Sequence, residues 1–343
     1  MNNLYGGIDL HANNSVIVIV DDADQIVYRK RLPNDLATIL GQLTSYQAAL
    51  EGLVVESTYN WYWLVDGLME AGYLVHLANP AAMQQYNGLK YTDDASDARW
   101  LAHLLRLGLL PTGYIYPKAE RGVRDLLRKR SQLVQQKTSN LLSAQAVVTR
   151  HTGTTLKGQT LKTLTVAEVE QLLPTTEVAL AVTSTLTVLR CVDEQIATLE
   201  QAIKARVALR PTFRHVLTIA GVGQTLALTI MLEAGEIHRF PTVGQWASYC
   251  RCVGSTKLSN GKRKGRGNTK NGNKYLAWAF VEAANHAVRY YPPIRRFYDR
   301  KMSQTKRVVA IKAVAHKLAR ACYYVLRDQV PFEIDKAFAA AGP

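Results

Sequence analysis

Three aspartates fall within residues 93–97 of a chain whose formal net charge is +15. Just beyond them, Trp100, Leu101, Leu104 and Leu105 recur at helical spacings. On that helix Asp94 and Asp97 share one face, one turn apart. Two like charges that close repel by about 1 kcal/mol in water, and by more where water is thin. A divalent cation removes the penalty, and hard carboxylate oxygens suit Mg²⁺ or Mn²⁺. Taken alone, the window reads first as an Asp-rich cap, with Asp93 or Asp94 starting the helix. Two further acids shift the weighing. Asp9 closes an extended run at 4–10, and Glu56 follows the β-branched run Leu53-Val-Val55.

The elements that must position these acids can be read in order. Residues 4–10, 16–20 and 25–32 predict three successive strands. Pro33 then opens a helix through Leu43, 53–55 predict a fourth strand, 60–71 an aromatic-rich helix and 73–78 a fifth strand. Three strands able to form a meander, followed by alternating helices and strands, describe a ribonuclease H-like α/β layout. There the first and fourth strands are neighbours, so Asp9 and Glu56 face each other and Asp94 and Asp97 arrive on a later helix. Singly, each is more often a surface carboxylate. Together they outline a space for one or two divalent ions, suited to phosphodiester chemistry. His11, close to Asp9 in sequence, has two readings: a residue that approaches the metal and, more commonly for a lone histidine, a surface residue.

Composition bounds the rest. A chain of 343 residues with 48 % apolar and 20 % charged residues describes a folded protein of two domains. No apolar run approaches the roughly 20 residues that span a bilayer, and the N-terminus has no export signal, so no membrane partner is expected. Cys191, Cys250, Cys252 and Cys322 have neither metal-finger nor disulfide-framework spacing, which fits a reduced cytoplasm. Between Lys257 and Arg320 stand seventeen Lys/Arg against two acids, Glu282 and Asp299. Such an excess suits a polyphosphate, because each neutralised phosphate releases counterions.

After Pro111 and Gly113 a long helix runs over about 120–150, with Leu127, Val134, Leu141 and Val148 at strict sevens. Arg121, Arg124, Arg128, Lys129 and Arg130 decorate its first half. A second long helix spans about 176–209. The two pack either as an antiparallel hairpin or against another protomer, and the basic half offers a nucleic-acid face. Further on, Gly221-Val-Gly223 resembles the turn of a helix-hairpin-helix, whose backbone N–H groups meet a phosphate. Gly261 to Lys274 holds four glycines and six Lys/Arg: Lys262, Arg263, Lys264, Arg266, Lys270 and Lys274. This segment reads as a flexible, phosphate-seeking loop leading into a helix at about 275–289. On chemistry alone Ser259 is a turn residue, since a serine hydroxyl needs activation and no nearby histidine offers a base.

These motifs carry a resemblance. Gly-Ile-Asp9-Leu, Val-Val-Glu56-Ser-Thr-Tyr, Asn79-Pro80-Ala and Thr-Asp-Asp94-Ala-Ser-Asp97-Ala-Arg are similar to the N-terminal domain of the DEDD transposases. Those are mobile-element recombinases related to Piv-type DNA invertases, with an acidic domain resembling the RuvC Holliday-junction resolvase. The family's Lys-Thr-Asp-x-x-Asp-Ala departs here at Tyr91 and in its doubled aspartate. The spacing selects Asp94 with Asp97, and Asp93 is the alternative to Asp94. Ser259-Asn-Gly-Lys262 and Thr269-Lys-Asn-Gly272-Asn273-Lys-Tyr-Leu276 resemble the family's serine motif, with Asn260 where glycine is common.

The resemblance spans nearly the whole chain. It implies that Ser259 attacks a DNA phosphate to give a phosphoserine link, while Asp9, Glu56, Asp94 and Asp97 hold Mg²⁺ or Mn²⁺. It also implies double-stranded donor and target DNA, a structured guide RNA, a dimer-to-tetramer assembly, and a bacterial cytoplasmic location at the nucleoid. The expected organisation is an acidic α/β domain over 1–112, a coiled coil over 113–210, and a mainly helical serine domain over 211–343. Two rivals share parts of this pattern: a resolvase-like nuclease in which water attacks, and a non-enzymatic DNA-bridging protein.

Overall fold

The computed structural model describes residues 3–83, 94–207, 211–254, 256–266 and 271–339. The chain divides into two compact units, 1–118 and 119–343. Among the described residues no helix is long and apolar enough to cross a membrane.

The first unit contains β1 (Leu4–Leu10), β2 (Asn14–Asp21), β3 (Ile26–Pro33), α1 (Leu36–Leu43), β4 (Leu50–Val55) and α2 (Tyr62–Glu70). It continues with β5 (Val75–Ala78), α3 (Pro80–Met83), α4 (Asp94–Arg106) and the short β6 (Thr112–Gly113). The sheet order is β3-β2-β1-β4-β5-β6. β1, β2 and β3 form an antiparallel meander, while β4 and β5 add in parallel. This is the ribonuclease H-like arrangement expected from the strand and helix alternation. One boundary differs: Pro33 closes β3, and α1 begins after Asp35, whose carboxylate accepts from the Thr38 amide as an N-cap.

The two sheet faces are covered unequally. Ile8, Leu10, Ile17, Ile19, Leu53 and Val55 pack against Ile39 and Leu43 of α1 and Leu64, Val65 and Leu68 of α2. On the other face Val16, Val18 and Val20 meet Ala98 and Ala102 of α4. Contact there is close enough to require glycine on β1. A Cβ on Gly7 would stand 1.9 Å from the Ala98 carbonyl oxygen and 2.8 Å from the Ala102 nitrogen. Small residues on both partners therefore seat α4 directly on β1.

The second unit opens with α5 (Lys118–Thr152), α6 (Gly158–Thr163), α7 (Val166–Leu172) and α8 (Thr176–Val207). α5 and α8 form the antiparallel hairpin that their apolar spacing allowed. Arg130 pairs with Glu200 and Lys137 with Asp193, so seven residues forward on α5 are seven residues back on α8. Near the far end, Ala144 and Val148 share a core with Val182 and Leu186, closed by Leu161 of α6 and Val169 of α7. At the near end Val123, Leu127 and Ile203 pack with Leu228, Met231 and Leu232. The coiled coil thus belongs to the same compact unit as the C-terminal helices.

That remainder comprises α9 (Pro211–Leu217), α10 (Gln224–Ala234), α11 (Val243–Tyr249), β7 (Thr256–Ser259), β8 (Lys262–Arg266) and α12 (Lys274–Tyr290). α13 (Pro292–Met302), α14 (Arg307–Asp328) and α15 (Ile334–Phe338) complete it. Its core is built around Trp246, Phe280 and the small faces of α12 and α14, and the Trp246 indole donates to the Ala319 carbonyl. The segment expected as a flexible loop contains an antiparallel hairpin, β7–β8. Asn260 and Gly261 both have positive φ, 49° and 71°. A two-residue type I′ turn requires that pair, and Asn-Gly is its favoured sequence.

Candidate functional site

Asp9 is the next-to-last residue of β1 and is buried. It shares a strand face with Gly7, the face on which α4 lies. β4 runs parallel beside β1, and the Glu56 amide just beyond it donates to the Ile8 carbonyl at 3.1 Å. This brings the Glu56 carboxyl to Asp9. Burial first, then the hydrogen bond to Asp9 and the charges of Asp9 and Asp97, push Glu56 up to about 7. Such a shift records several carboxylates competing for one space with little water. Asp94 and Asp97 lie in the first turn of α4, with Asp97 exposed.

The fifth group is His11. Its Nε2 stands 3.0 Å from Asp9 Oδ2 and 3.4 Å from Asp94 Oδ1. Arg31 approaches from the meander: Asp9 is opposite Val16 and Val16 opposite Arg31, so the three lie side by side across the sheet. The Arg31 guanidinium donates to Asp94 Oδ2 at 2.5 Å and to Asn14 Oδ1 at 2.8 Å. Residues flanking the site are held by their backbones. Asn34 and Asn60 both donate to the His11 carbonyl, at 2.9 and 3.0 Å.

The donor set fits a divalent cation. Oxygen or nitrogen atoms of Asp9, His11 and Asp94 lie within 4.8 Å of one another. Glu56 joins them through Asp9, and Asp97 acts on Glu56 through its charge. Hard carboxylates around a small space are what Mg²⁺ and Mn²⁺ require. Asp93, the alternative to Asp94, lies outside the described residues.

Ser259 is exposed at the end of β7, paired in register with Lys262 across the Asn-Gly turn. Lys262, Lys264 and Lys274 are exposed as well. Arg263 and Arg266 belong to β8, with side chains outside the described residues, as is Lys270 entirely. Behind the hairpin, Asn273 caps α12 by accepting from the Tyr275 and Leu276 amides. Its amide group donates to Glu233, whose side chain is only 1 % exposed. Arg128 closes this network with two bonds to Glu233, of 2.6 and 2.7 Å.

The other expected nucleic-acid contacts are redistributed. The basic half of α5 is not one open stripe: Arg121 and Arg124 are buried, Arg128 is engaged by Glu233 and Arg130 by Glu200. Lys129 alone of the five is exposed. Gly221 is a packing residue, because a Cβ there would meet the Ala283 carbonyl at 2.1 Å. Gly223 has open space around it at the start of α10, where no side chain caps the helix.

Sequence reasoning missed Arg31 and Glu233, and it ranked a surface position for His11 above an approach to the metal. An acid inside the apolar run Leu-Ala-Leu-Thr-Ile-Met-Leu-Glu233-Ala was the available signal for one of them. Arg31 left no such mark.

Two family descriptions match the chain, in this order. One, of a DEDD-type transposase of IS110 elements, covers residues 6–153. The other, "Transposase IS116/IS110/IS902 family", covers residues 214–299. The chain is also similar to a transposase for insertion sequence element IS1111A from Coxiella burnetii. These two are 22 % identical over 335 residues, 95 % of this chain and 87 % of the relative. An uncharacterized 43.6 kDa protein of insertion element IS110 from Streptomyces coelicolor is 28 % identical over 146 residues. That match spans 42 % of this chain and 36 % of the relative's length.

Proposed function

This chain belongs to the IS110-type transposases, and on that premise we propose that it cuts and rejoins DNA through a phosphoserine intermediate on Ser259. Asp9, Glu56, Asp94 and Asp97 would hold a divalent metal, Mg²⁺ or Mn²⁺. The observation that carries the reading is the convergence of acids from β1, the end of β4 and the first turn of α4 on one face of a ribonuclease H-like sheet.

Bound there, the metal supplies charge neutralisation and polarises a phosphate oxygen. The chain's own residues do the rest. The Ser259 hydroxyl attacks phosphorus, forming a serine–phosphate ester as the bond to one deoxyribose oxygen breaks. The serine proton passes to solvent and the departing oxygen leaves as a hydroxyl. Attack of a second strand's hydroxyl on the same phosphorus reverses these changes and returns the serine. Each ester is exchanged for another, so no nucleotide triphosphate is consumed. Lys262 and Lys264, exposed on the same hairpin as Ser259, supply charge for the flanking phosphates.

The proposal includes a structured guide RNA and a homo-oligomer of up to four copies. The basic C-terminal stretch supports a nucleic-acid partner. Leu142, Leu180 and Val188, exposed on the α5–α8 hairpin, support contact with a further copy. A strand-exchange assay on element-junction DNA with Mg²⁺ and flanking RNA tests the whole. Recombinant product from wild type, absent with Asp9→Asn and without RNA, is the expected result; product formed by Asp9→Asn would refute it.

A further inference from the structure

We propose that His11 is a metal ligand of this protein, adding an imidazole nitrogen to the carboxylates of Asp9 and Asp94; this rests on reading the acidic cluster as a divalent-metal site. Three observations converge on His11. The first is spacing. Ligands in adjacent corners of an octahedron, about 2.1 Å from the ion, stand about 3.0 Å apart. Nε2 of His11 lies 3.0 Å from Asp9 Oδ2 and 3.4 Å from Asp94 Oδ1.

The second is the state of that nitrogen. Although more than a third of the imidazole is open to solvent, Nε2 itself is buried and makes no well-directed hydrogen bond. A buried polar atom is rarely left so, because the desolvation cost is not recovered. With the proton on Nδ1, the Nε2 lone pair is free to bind a cation between the two carboxylates.

The third is preorganisation. His11 directly follows β1 and is two residues from Asp9, so its side chain stays on the α4 face. Its backbone is pinned from three sides: the amide donates to the Asn14 carbonyl, and the carbonyl accepts from Asn34 and Asn60. Elements from three places in the sequence thus fix one histidine whose side chain has, among the described residues, only the carboxylates of Asp9 and Asp94 as close polar neighbours. A nitrogen ligand has a chemical consequence. Imidazole favours transition metals over Mg²⁺, so this site should discriminate in favour of Mn²⁺.

The test uses the full chain, stripped with chelator and titrated with Mn²⁺ alone, and reads bound ion by electron paramagnetic resonance. Pulsed spectra of the wild type should carry ¹⁴N coupling from a directly bound nitrogen. His11→Ala should lose that coupling and weaken Mn²⁺ binding about tenfold, with a smaller change for Mg²⁺. His11→Gln serves as a second variant, and equal unfolding temperatures in chelator establish that both fold. Bound Mn²⁺ without ¹⁴N coupling, or coupling that survives His11→Ala, overturns the proposal. If Asp9→Asn abolishes binding in that case, the acidic site stands without its histidine. If Asp9→Asn and Glu56→Gln both leave Mn²⁺ bound as in wild type, the acidic-site reading fails too.

Discussion

Glu56 is the residue at which folding and chemistry pull apart. Burial beside Asp9 raises its carboxyl from 4.5 to about 7. Between those values the folded protein holds a proton that the unfolded chain has released. Stability of the metal-free protein therefore falls, on account of this group, as pH rises from the lower value through the upper one. Glu56→Gln, which cannot ionise, should unfold at a higher temperature than wild type at pH 8 in chelator. At pH 4, where both forms are neutral, the two should match. Calorimetry at the two pH values checks this, and equal temperatures at pH 8 would deny the carboxylate crowding. Arg31 shows how charge is offset in the same place, since its guanidinium meets Asp94 Oδ2 while His11 lies nearest Oδ1.

Elements set the precision of the site through a few close contacts. α4 carries Asp94 and Asp97, and its seat on β1 depends on the missing side chain of Gly7. Gly7→Ala must push α4 outward; the expected cost is about 1–3 kcal/mol. Mn²⁺ affinity should fall with it, measured alongside denaturant unfolding; an unchanged affinity would separate helix position from ligand geometry. In the second unit the corresponding device is polar. Arg128 and Asn273 both bond Glu233, linking the coiled coil, α10 and the cap of α12. Arg128→Ala would leave the buried Glu233 carboxylate without its counter-charge, holding only the Asn273 bond, at a cost of about 3–5 kcal/mol. Replacing Glu233 by Gln in the same chain should recover much of that, as urea unfolding would show.

These elements were legible in the sequence to different depths. Strand order followed from the meander and the alternation after it. The pairing of Asp94 with Asp97 followed from helical spacing. The Ser259 hairpin was hidden because basic residues, not alternating apolar ones, flank its Asn-Gly turn. Yet that turn was the available signal. The fate of the α5 arginines was not local at all: Glu200 and Glu233, which neutralise two of them, lie 70 and 105 residues further along the chain. His11 had no periodicity to betray it, only proximity to Asp9.

At the scale of the molecule, charge and chemistry are assigned to different stretches. The first unit gathers carboxylates within a basic chain, while seventeen Lys/Arg against two acids occupy 257–320. Binding to DNA should weaken steeply with salt, and each lost phosphate contact should flatten that dependence by about one unit. Lys262→Ala with Lys264→Ala should reduce the log–log slope by about two, without altering Mn²⁺ binding. A slope unchanged by both substitutions would remove the hairpin from the DNA interface.

Trapping the serine–phosphate ester tests most directly whether Ser259 and the acidic cluster serve one reaction. End-labelled junction DNA, flanking RNA, Mg²⁺ and the full chain are incubated and resolved on a denaturing gel. A labelled band of protein-linked DNA, lost with Ser259→Ala and with Asp97→Ala, is the expected result. Cleavage without any such band, undiminished by Ser259→Ala, would contradict it and identify water as the attacking group.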